Sequence, residues 1–468
     1  MRRKWWTVGA LALSPLVLVA CERRDAPTAN RADEAVVLTG ANVPDLQGIA
    51  PNRLVAFSFH YGTWEQEPVQ VDERALLDLG RPRNLTAGVT ARFYTDAGTF
   101  TGADPVATLD ADDEIAFMSR DMHGQAHSID DGTVDYTLDE PDHVVAGSGV
   151  EVKTVDPLVA DSGSWMYLFE SDGTLDPAAG RPPLVDYDFI LLSGEYKSTY
   201  NTGSGANPEN STVATSRYSA HFSDRWIHDD LRITAGGATN VDILDRHKSG
   251  FAGTCVRTEG TFSTGGGGFI ANRSGPVRAI RSYLGANSGT YTQRDEVMYE
   301  GRMDSVTYLR VHEIPPLRDW MDYSPAAVGM RYLTSTIPAG VTIDGVPDVI
   351  PAALPAWEMV RGAQGSVVHT NALQSDIPGI AASVVPYYSD DTTPSETQCT
   401  GDAFQYGASG STVNQNVPNT DPTIGAANTL VSTRRMTFLA PGATVDAAAK
   451  IGAQATAPLT RTVTPFTP

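Results

Sequence analysis

Tyrosine, arginine and histidine side chains recur on strand-like segments in a stretch where the chain reverses its otherwise acidic character. In "VTYLRVHEI", a period of two places Tyr308, Arg310 and His312 on one face of a strand. In "GPVRAIRSYLG", the same alternation puts Arg281 beside Tyr283. Aromatic rings stack on sugar faces, and arginine binds hydroxyls or carboxylates through paired hydrogen bonds. The pattern indicates a carbohydrate-binding face; the alternative is the solvated outer face of an antiparallel sheet. The arginines of this stretch are Arg273, Arg278, Arg281, Arg294, Arg302, Arg310, Arg318 and Arg331.

A second set of chemically active side chains lies in "SAHFSDRWIHDDLRI", where Trp226 stands between His221 and His228. The two histidines are seven positions apart, which matches neither one helix face nor one strand face. The stretch can supply a base, a metal ligand or a sugar contact, or it can be purely structural. The residues of these stretches that can contact a sugar are Tyr283, Tyr308, His312, Arg281, Arg310 and Trp226.

The acidic stretch "TLDADDEIAFMSRD" raises the question of a calcium site. Asp110, Asp112 and Glu114 fit the first, third and fifth positions of an EF-hand loop. The sixth position is Ile115 where that loop needs glycine, and the twelfth is Asp121 instead of a bidentate glutamate. The spacing favours an acidic turn whose Asp side chains bond local N–H groups before a buried strand. Calcium held by several loops stays open as the alternative, and no other cofactor is indicated.

The elements that must carry these residues are short runs, alternating or apolar, bounded by Gly, Pro, Asp and Asn. That pattern predicts strands and turns, so we expect an all-β fold of antiparallel sandwiches with few short helices. The clearest helical segment is "GATVDAAAKIGAQATA", with Thr444 placed to cap it. A small, polar segment at 201–216 predicts a boundary between an N-terminal β domain, residues 46–200, and a larger one, residues 217–460.

The chain begins with the parts of an export signal. Three basic residues precede an apolar run at positions 8–19, which is too short to span a bilayer comfortably. The run ends in Leu18-Val19-Ala20-Cys21, which resembles the lipobox of bacterial lipoproteins. The alternative is a plain secretory signal followed by an incidental cysteine. Residues 21–45 are polar, and we expect them to form a flexible tether.

The lipoprotein resemblance implies cleavage before Cys21, a diacylglycerol on its thiol and acylation of the new amino group. Such a lipid anchor holds a protein stably on a membrane. Glu22 follows the cysteine, and in this family that residue allows transfer to the outer membrane. The expected location is the cell envelope, lipid-anchored, at the outer membrane or cell surface.

The net charge of the chain limits the classes of binding partner that we expect. Removal of residues 1–20 leaves 31 Lys and Arg against 56 Asp and Glu. Such an acidic body argues against nucleic acid or a bare anionic membrane surface as the main partner. A polysaccharide ligand, even an anionic one, stays open because the charge is unevenly spread.

Two cysteines remain for an oxidising compartment, Cys255 and Cys399. We expect them to form a disulfide; the alternative is two separate buried thiols. Two cysteines without a CxxC spacing give no support for a zinc site.

The motifs "GPVRAIRSYLG", "VTYLRVHEIP" and "DYSPAAVGMRY" resemble the supersandwich, or galactose-mutarotase-like, proteins. That fold also occurs in polysaccharide lyases, where a Tyr or His abstracts a proton beside a uronate carboxylate that an Arg, Asn or His neutralises. The resemblance implies a C-terminal supersandwich in which Tyr283, Tyr308 and His312 are the candidate catalytic residues and Arg281 and Arg310 are candidate substrate-binding residues. The motifs "EPVQVDER" and "LDADDEIAFMSRD" resemble the N-terminal β module of large exported bacterial proteins.

Two hypotheses of function follow. The first is an anchored carbohydrate-active protein that binds a polysaccharide and cleaves or isomerises it, as a lyase or another carbohydrate-active enzyme. The second is a non-catalytic surface or envelope protein for attachment or assembly.

Overall fold

The structure is a computed structural model that describes residues 31–60, 62–78, 90–126, 138–193, 206–286, 289–310, 312–400, 404–420 and 427–468. Regular structure in these ranges is almost entirely antiparallel β, which confirms the predicted all-β sandwich fold. The export signal, the lipobox and Cys21 lie outside the described residues. Within the described ranges, no helix is long and apolar enough to cross a membrane.

The strands divide into an N-terminal set, a middle set and a C-terminal set. The first set is β1 Ala35–Thr39, β2 Leu54–His60, β3 Thr63–Glu67, β4 Gln70–Asp72, β5 Arg74–Asp78, β6 Thr90–Tyr94, β7 Glu114–Met118, β8 Val150–Val155 and β9 Ser164–Glu170. The middle set is β10 Asp186–Asp188, β11 Pro208–Ala214, β12 Tyr218–Asp224, β13 Ile227–Ile233, β14 Leu244–Phe251, β15 Gly268–Ser274, β16 Ala279–Ala286, β17 Gly289–Tyr299, β18 Arg302–Tyr308 and β19 Leu317–Tyr323. The last set is β20 Arg331–Thr334, β21 Val341–Thr342, β22 Glu358–Gly362, β23 Gly365–Ser375, β24 Val384–Asp391, β25 Gln405–Val413, β26 Leu430–Leu439 and β27 Thr460–Pro465.

Two α-helices occur in the described ranges, α1 Glu259–Ser263 and α2 Val445–Thr456. The hydroxyl of Thr444 accepts a hydrogen bond from the Ala447 N–H at 3.1 Å, which confirms the predicted cap of α2. The 3₁₀ helices are Gly40–Asn42, Pro44–Leu46, Pro51–Arg53, Ser119–Asp121, Pro325–Ala327 and Ala381–Ser383.

The large sandwich is built on a nine-stranded sheet of order β15-β16-β17-β18-β26-β23-β22-β20-β21. Two four-stranded sheets, β10-β11-β12-β13 and β14-β19-β25-β24, cover one face of it. We call this covered face the inner face. Alternation along β26 shows the two faces: Arg434, Met436 and Phe438 are buried, while Arg435 and Thr437 are only half-buried.

The N-terminal strands form a smaller sandwich of the sheets β1-β7-β4 and β27-β8-β9-β2-β3. Leu38, Leu54, Ile115 and Leu168 belong to the apolar core between them. The hairpin β5-β6 packs on the outer face of the nine-stranded sheet, where Phe93 joins a core with Ile280 and Val297.

Two predicted segments overlap strands of the sheets. The expected tether at 21–45 includes β1, because Val36 and Leu38 alternate with half-buried residues and enter the core. The expected domain boundary at 201–216 contains β11, whose buried positions include polar residues such as Glu209. Near the C-terminus, β27 leaves the large sandwich and pairs with β8 of the N-terminal sheet.

The acidic turn before β7 does not gather its carboxylates around one point. Asp110 accepts a hydrogen bond from the Asp112 N–H at 3.0 Å. Asp113 accepts from the N–H groups of Asp110 and Arg74, at 2.9 and 2.8 Å. Asp112 pairs with Arg92 at 3.3 Å. The segment is the acidic turn that its spacing favoured.

Residues of the N-terminal strands β4 and β7 bind Arg278 of the large sandwich and hold the two sandwiches together. The Arg278 guanidinium donates to Glu114 at 2.7 Å and to Asp72 at 2.8 Å, across more than 160 residues of sequence. Its backbone N–H donates to Gln70 at 2.9 Å. Arg278 is 2% exposed, so these contacts replace the water that the charge has lost.

The predicted disulfide is present, with Cys255 and Cys399 joined and their Cα atoms 5.1 Å apart. It connects the segment after β14 with the segment before β25, two strands of the same four-stranded sheet.

Candidate functional site

A cleft of about 190 Å³ lies inside the large sandwich, between the nine-stranded sheet and the sheet β14-β19-β25-β24. Its lining contains six polar side chains that fall into two rows, one on each sheet, and we call these the polar rows. On the nine-stranded sheet the row is Arg294, Thr307 and Ser432; on the facing sheet it is Ser249, Asp319 and Ser411.

Strand register creates these rows. Arg294 of β17 lies opposite Thr307 of β18, which lies opposite Ser432 of β26. Directly paired residues share one face of a sheet, so the three side chains line up on the inner face. On the facing sheet, Asp319 of β19 lies opposite both Ser249 and Ser411 in the same way.

Of the aliphatic side chains that line the cleft beside the polar rows, we call six the aliphatic end. They belong largely to one apolar cluster, so they contact one another as well as the cleft. The members of the aliphatic end are Leu309, Leu317, Leu373, Val384, Val413 and Leu430.

Asp319 is the centre of the polar rows. Its carboxylate accepts hydrogen bonds from Ser249 at 2.6 Å and from the Arg434 Nε at 2.8 Å. The Arg294 Nη2 lies 3.3 Å from the same carboxylate and donates to the Ser249 hydroxyl at 2.6 Å. The His247 Nε2 approaches Asp319 to 3.2 Å. The carboxylate of one sheet therefore binds two arginines of the other.

These contacts shift the pKa values of the ionisable groups at the cleft. Burial alone would raise the pKa of Asp319, but His247, Arg434 and Arg294 together hold it well below its ordinary value. Burial lowers the pKa of His247 against the opposing effect of Asp319. The cleft therefore presents the carboxylate of Asp319 and the guanidinium of Arg294, together with side-chain hydroxyls.

Aromatic side chains close the cleft beside β14. Trp226, in the tight connection between β12 and β13, donates its indole N–H to the Gly285 carbonyl at 2.6 Å. Gly285 has φ +94° at a register shift between β16 and β17, a conformation that favours glycine. Phe262 of α1 packs edge-on against the Trp226 ring, and the Arg294 guanidinium lies 4.8 Å from that ring.

A second group of buried polar side chains lies deeper in the sandwich. His369 of β23 lies opposite Glu358 of β22, and its Nε2 is 2.8 Å from the Tyr323 hydroxyl. Burial raises the pKa of Glu358 to about 7, although the charge of Arg434 opposes that shift. Burial lowers the pKa of His369 well below its ordinary value. Neither Glu358 nor His369 lines the cleft. Arg434 interacts electrostatically with both of them and also binds Asp319.

The candidate residues of "GPVRAIRSYLG" lie on the inner face. Arg281 is fully buried and forms an ion pair with Glu209 of β11, with its guanidinium 4.3 Å from the Phe222 ring. Tyr283 is 2% exposed and lies opposite Arg294, and burial raises its pKa to about 12. Trp226 lines the cleft. Arg281 therefore holds two sheets together, and Tyr283 lies behind the polar row.

The candidate residues of "VTYLRVHEI" lie elsewhere. Tyr308 lies opposite Gln293 on the outer face, because Thr307 occupies the inner one. Arg310 lies 5.3 Å from the Tyr308 ring, beyond the end of β18. His312 is exposed and its Nδ1 is 2.9 Å from the Glu313 carbonyl. The expected grouping of Tyr308 and His312 with Tyr283 in one groove is therefore not formed.

The histidines of "SAHFSDRWIHDDLRI" are separated as well. His221 is half-buried, with Nδ1 2.7 Å from Asp229 and Nε2 3.0 Å from Asn210. His228 is buried with its ring centre 4.8 Å from that of Phe222. In the part of the chain that the structure describes, no three His, Cys, Asp or Glu side chains are placed to hold a metal ion.

Sequence reasoning missed most of the polar rows. Arg294 belongs to the arginine-rich stretch, but Asp319, Thr307 and three serines carry no motif. The available signal was the phase of each strand: in "VTYLRVHEI", Thr307 and Leu309 alternate with Tyr308. That phase shows which residues share a face and leaves open which face turns inward.

No protein-family model matches the chain, and no curated protein matches its sequence. Solved structures that align with part of the chain include a putative aldose 1-epimerase from Escherichia coli K12, at 8% identity and TM-score 0.27. The alignment covers 55% of this chain and 100% of that one. A GalM/aldose epimerase homologue from C. elegans matches at 7% identity and TM-score 0.30, over 55% of this chain and all of that chain. At these TM-scores the likeness supports no assignment of activity.

The titration of Glu358 predicts a pH dependence of stability. Its pKa of about 7 in the folded protein exceeds the ordinary 4.5, so the folded state keeps a proton that the unfolded state releases. The free energy of unfolding should therefore fall as pH rises from about 4.5 to about 7, by up to about 3 kcal/mol. Glu358→Gln should remove that part of the slope. Urea denaturation of both proteins at pH 5 and pH 8 measures it; parallel slopes in the two proteins would contradict the assignment.

Proposed function

We propose that the protein binds a small carbohydrate in the cleft, with the sugar hydroxyls on the polar rows. The observation that supports this proposal is the pair of polar rows. Four hydroxyl side chains, Ser249, Thr307, Ser411 and Ser432, stand beside Arg294 and Asp319 on two facing sheets. Serine and threonine hydroxyls both donate and accept, and the charged groups form stronger hydrogen bonds than neutral ones. A polyhydroxylated ligand uses each of these properties.

The size of the cleft supports a small ligand. About 190 Å³ is less than the roughly 300 Å³ at which pockets for drug-sized molecules begin. A single sugar unit, or the end of a longer chain, suits that space, whereas the groove of an enzyme acting within a polysaccharide is open at both ends. The proposed ligand is therefore smaller than the polysaccharide that the sequence led us to expect.

The charges at the cleft support binding more than catalysis. General acid–base catalysis works best with groups whose pKa lies near the working pH. The pKa of Asp319 lies well below its ordinary value, and that of Tyr283 is raised to about 12. Neither group exchanges a proton readily near neutral pH. We therefore propose a binding protein, with permanent charges that orient a ligand.

A glycan array tests the proposal, with matched variants of two adjacent residues. Ser432 points into the cleft, and Thr433 points to the opposite face of β26. Ser432→Leu should fill the cleft between Thr307 and Leu373 and lower array binding at least about tenfold, while Thr433→Leu should bind like the wild type. Equal glycan binding by the wild type and Ser432→Leu would place the sugar outside the cleft.

We also propose that Cys21 carries a lipid that anchors the protein to the cell envelope. The support is the order of basic residues, apolar run and Leu18-Val19-Ala20-Cys21 in the sequence. Metabolic labelling with radioactive palmitate should mark the wild type and leave Cys21→Ser unlabelled. Equal labelling of the two proteins would contradict the anchor.

A further inference from the structure

The aliphatic end is poorly suited to a free sugar. Leu317, Leu373 and Val384 are only half-buried and retain exposed surface, and Leu354 at the cleft is 48% exposed. A sugar hydroxyl placed against such side chains loses its water without gaining a hydrogen bond. A ligand made only of hydroxylated carbon would therefore leave this half of the cleft unused.

The polar rows and the aliphatic end are adjacent on the same strands. On β18, Thr307 is followed two positions later by Leu309; on β26, Ser432 is preceded two positions earlier by Leu430. Residues two positions apart on a strand share a face and lie about 7 Å apart. Along β18 and β26 the inner face therefore changes from polar to aliphatic over roughly the length of one sugar ring.

The facing sheet makes the same change at the same level. Asp319 lies opposite Ser411, and two positions along their strands Leu317 lies opposite Val413. Val384 of β24 then lies opposite Val413 and extends the aliphatic row. The strands β18, β26, β19 and β25 thus present polar groups at one end of the cleft and branched apolar groups at the other, while Leu373 lies opposite Ser432 at the polar level and Thr292 lines the cleft at the aliphatic level.

We infer that the ligand is amphipathic: a sugar that bears an aliphatic substituent, with the sugar on the polar rows and the substituent along the aliphatic end. This inference rests on the proposed carbohydrate binding and names the ligand class more narrowly. Burial of the substituent against half-exposed leucine and valine side chains supplies the affinity, and the polar rows supply the orientation.

A chain-length series tests the inference with the full-length protein, purified without glycoside detergents. The probes are methyl, butyl and hexyl β-glucosides and β-galactosides, all below their micelle concentrations, with 1-hexanol as the chain without a sugar. Titration calorimetry should show tighter binding with each added methylene, up to about fourfold per step, which corresponds to about 0.8 kcal/mol.

Val384 and Val385 provide a matched pair of variants. They are neighbours on the same edge strand, both half-buried, and Val384 alone of the two lines the cleft. Val384→Asn should weaken the binding of the hexyl glycoside about tenfold and leave the methyl glycoside unchanged. Val385→Asn should leave both unchanged.

The outcomes separate the two proposals. Equal binding of methyl and hexyl glycosides would overturn the amphipathic ligand and leave carbohydrate binding in place. Hexanol binding as tightly as the hexyl glycosides would remove the role of the sugar and overturn both. No binding of any probe would also overturn both.

Discussion

The interaction on which the large sandwich depends is the contact of the Asp319 carboxylate with Arg434 and Arg294. The carboxylate belongs to one sheet and the two guanidinium groups to the other, so the contact joins the layers through charge. Removing the partner of a buried charge typically costs about 3–5 kcal/mol. A shift of either sheet that separated Asp319 from Arg434 and Arg294 would carry a cost of this kind. The approach of the two layers is close at Gly410 of β25, where a Cβ would lie 2.7 Å from the Arg434 Nη2 of the nine-stranded sheet.

The same contact explains why a cleft exists at this level. On one side of it, Met303, Met436 and Phe438 belong to a close-packed apolar core. On the other side, Leu309, Val413 and Leu430 form a separate apolar cluster. The charged groups between the two cores cannot be covered by apolar side chains without losing their hydrogen bonds. The charged groups therefore separate the two apolar clusters, and the cleft beside them is lined by polar and by apolar side chains.

Strand patterning predicted the fold class and the pairing of Arg281 with Tyr283 on one face, because period two depends only on local sequence. Local sequence does not specify which face of a strand turns inward, and for this reason Tyr308 was grouped with Tyr283 although it lies on the outer face. The partners of Glu114 illustrate a second limit. Its ion pair with Arg278 spans 164 residues, and only the folded chain brings the two together. The acidic turn itself was predictable, because it depends on hydrogen bonds between near neighbours.

A crystal structure of the protein with hexyl β-glucoside tests the central claim most directly. The account predicts the sugar within hydrogen-bond distance of Arg294, Asp319 or Ser432, and the hexyl chain against Leu309, Val413 and Val384. Ligand density outside the cleft, or a sugar ring packed against the aliphatic side chains with the hexyl group on the polar rows, would contradict it.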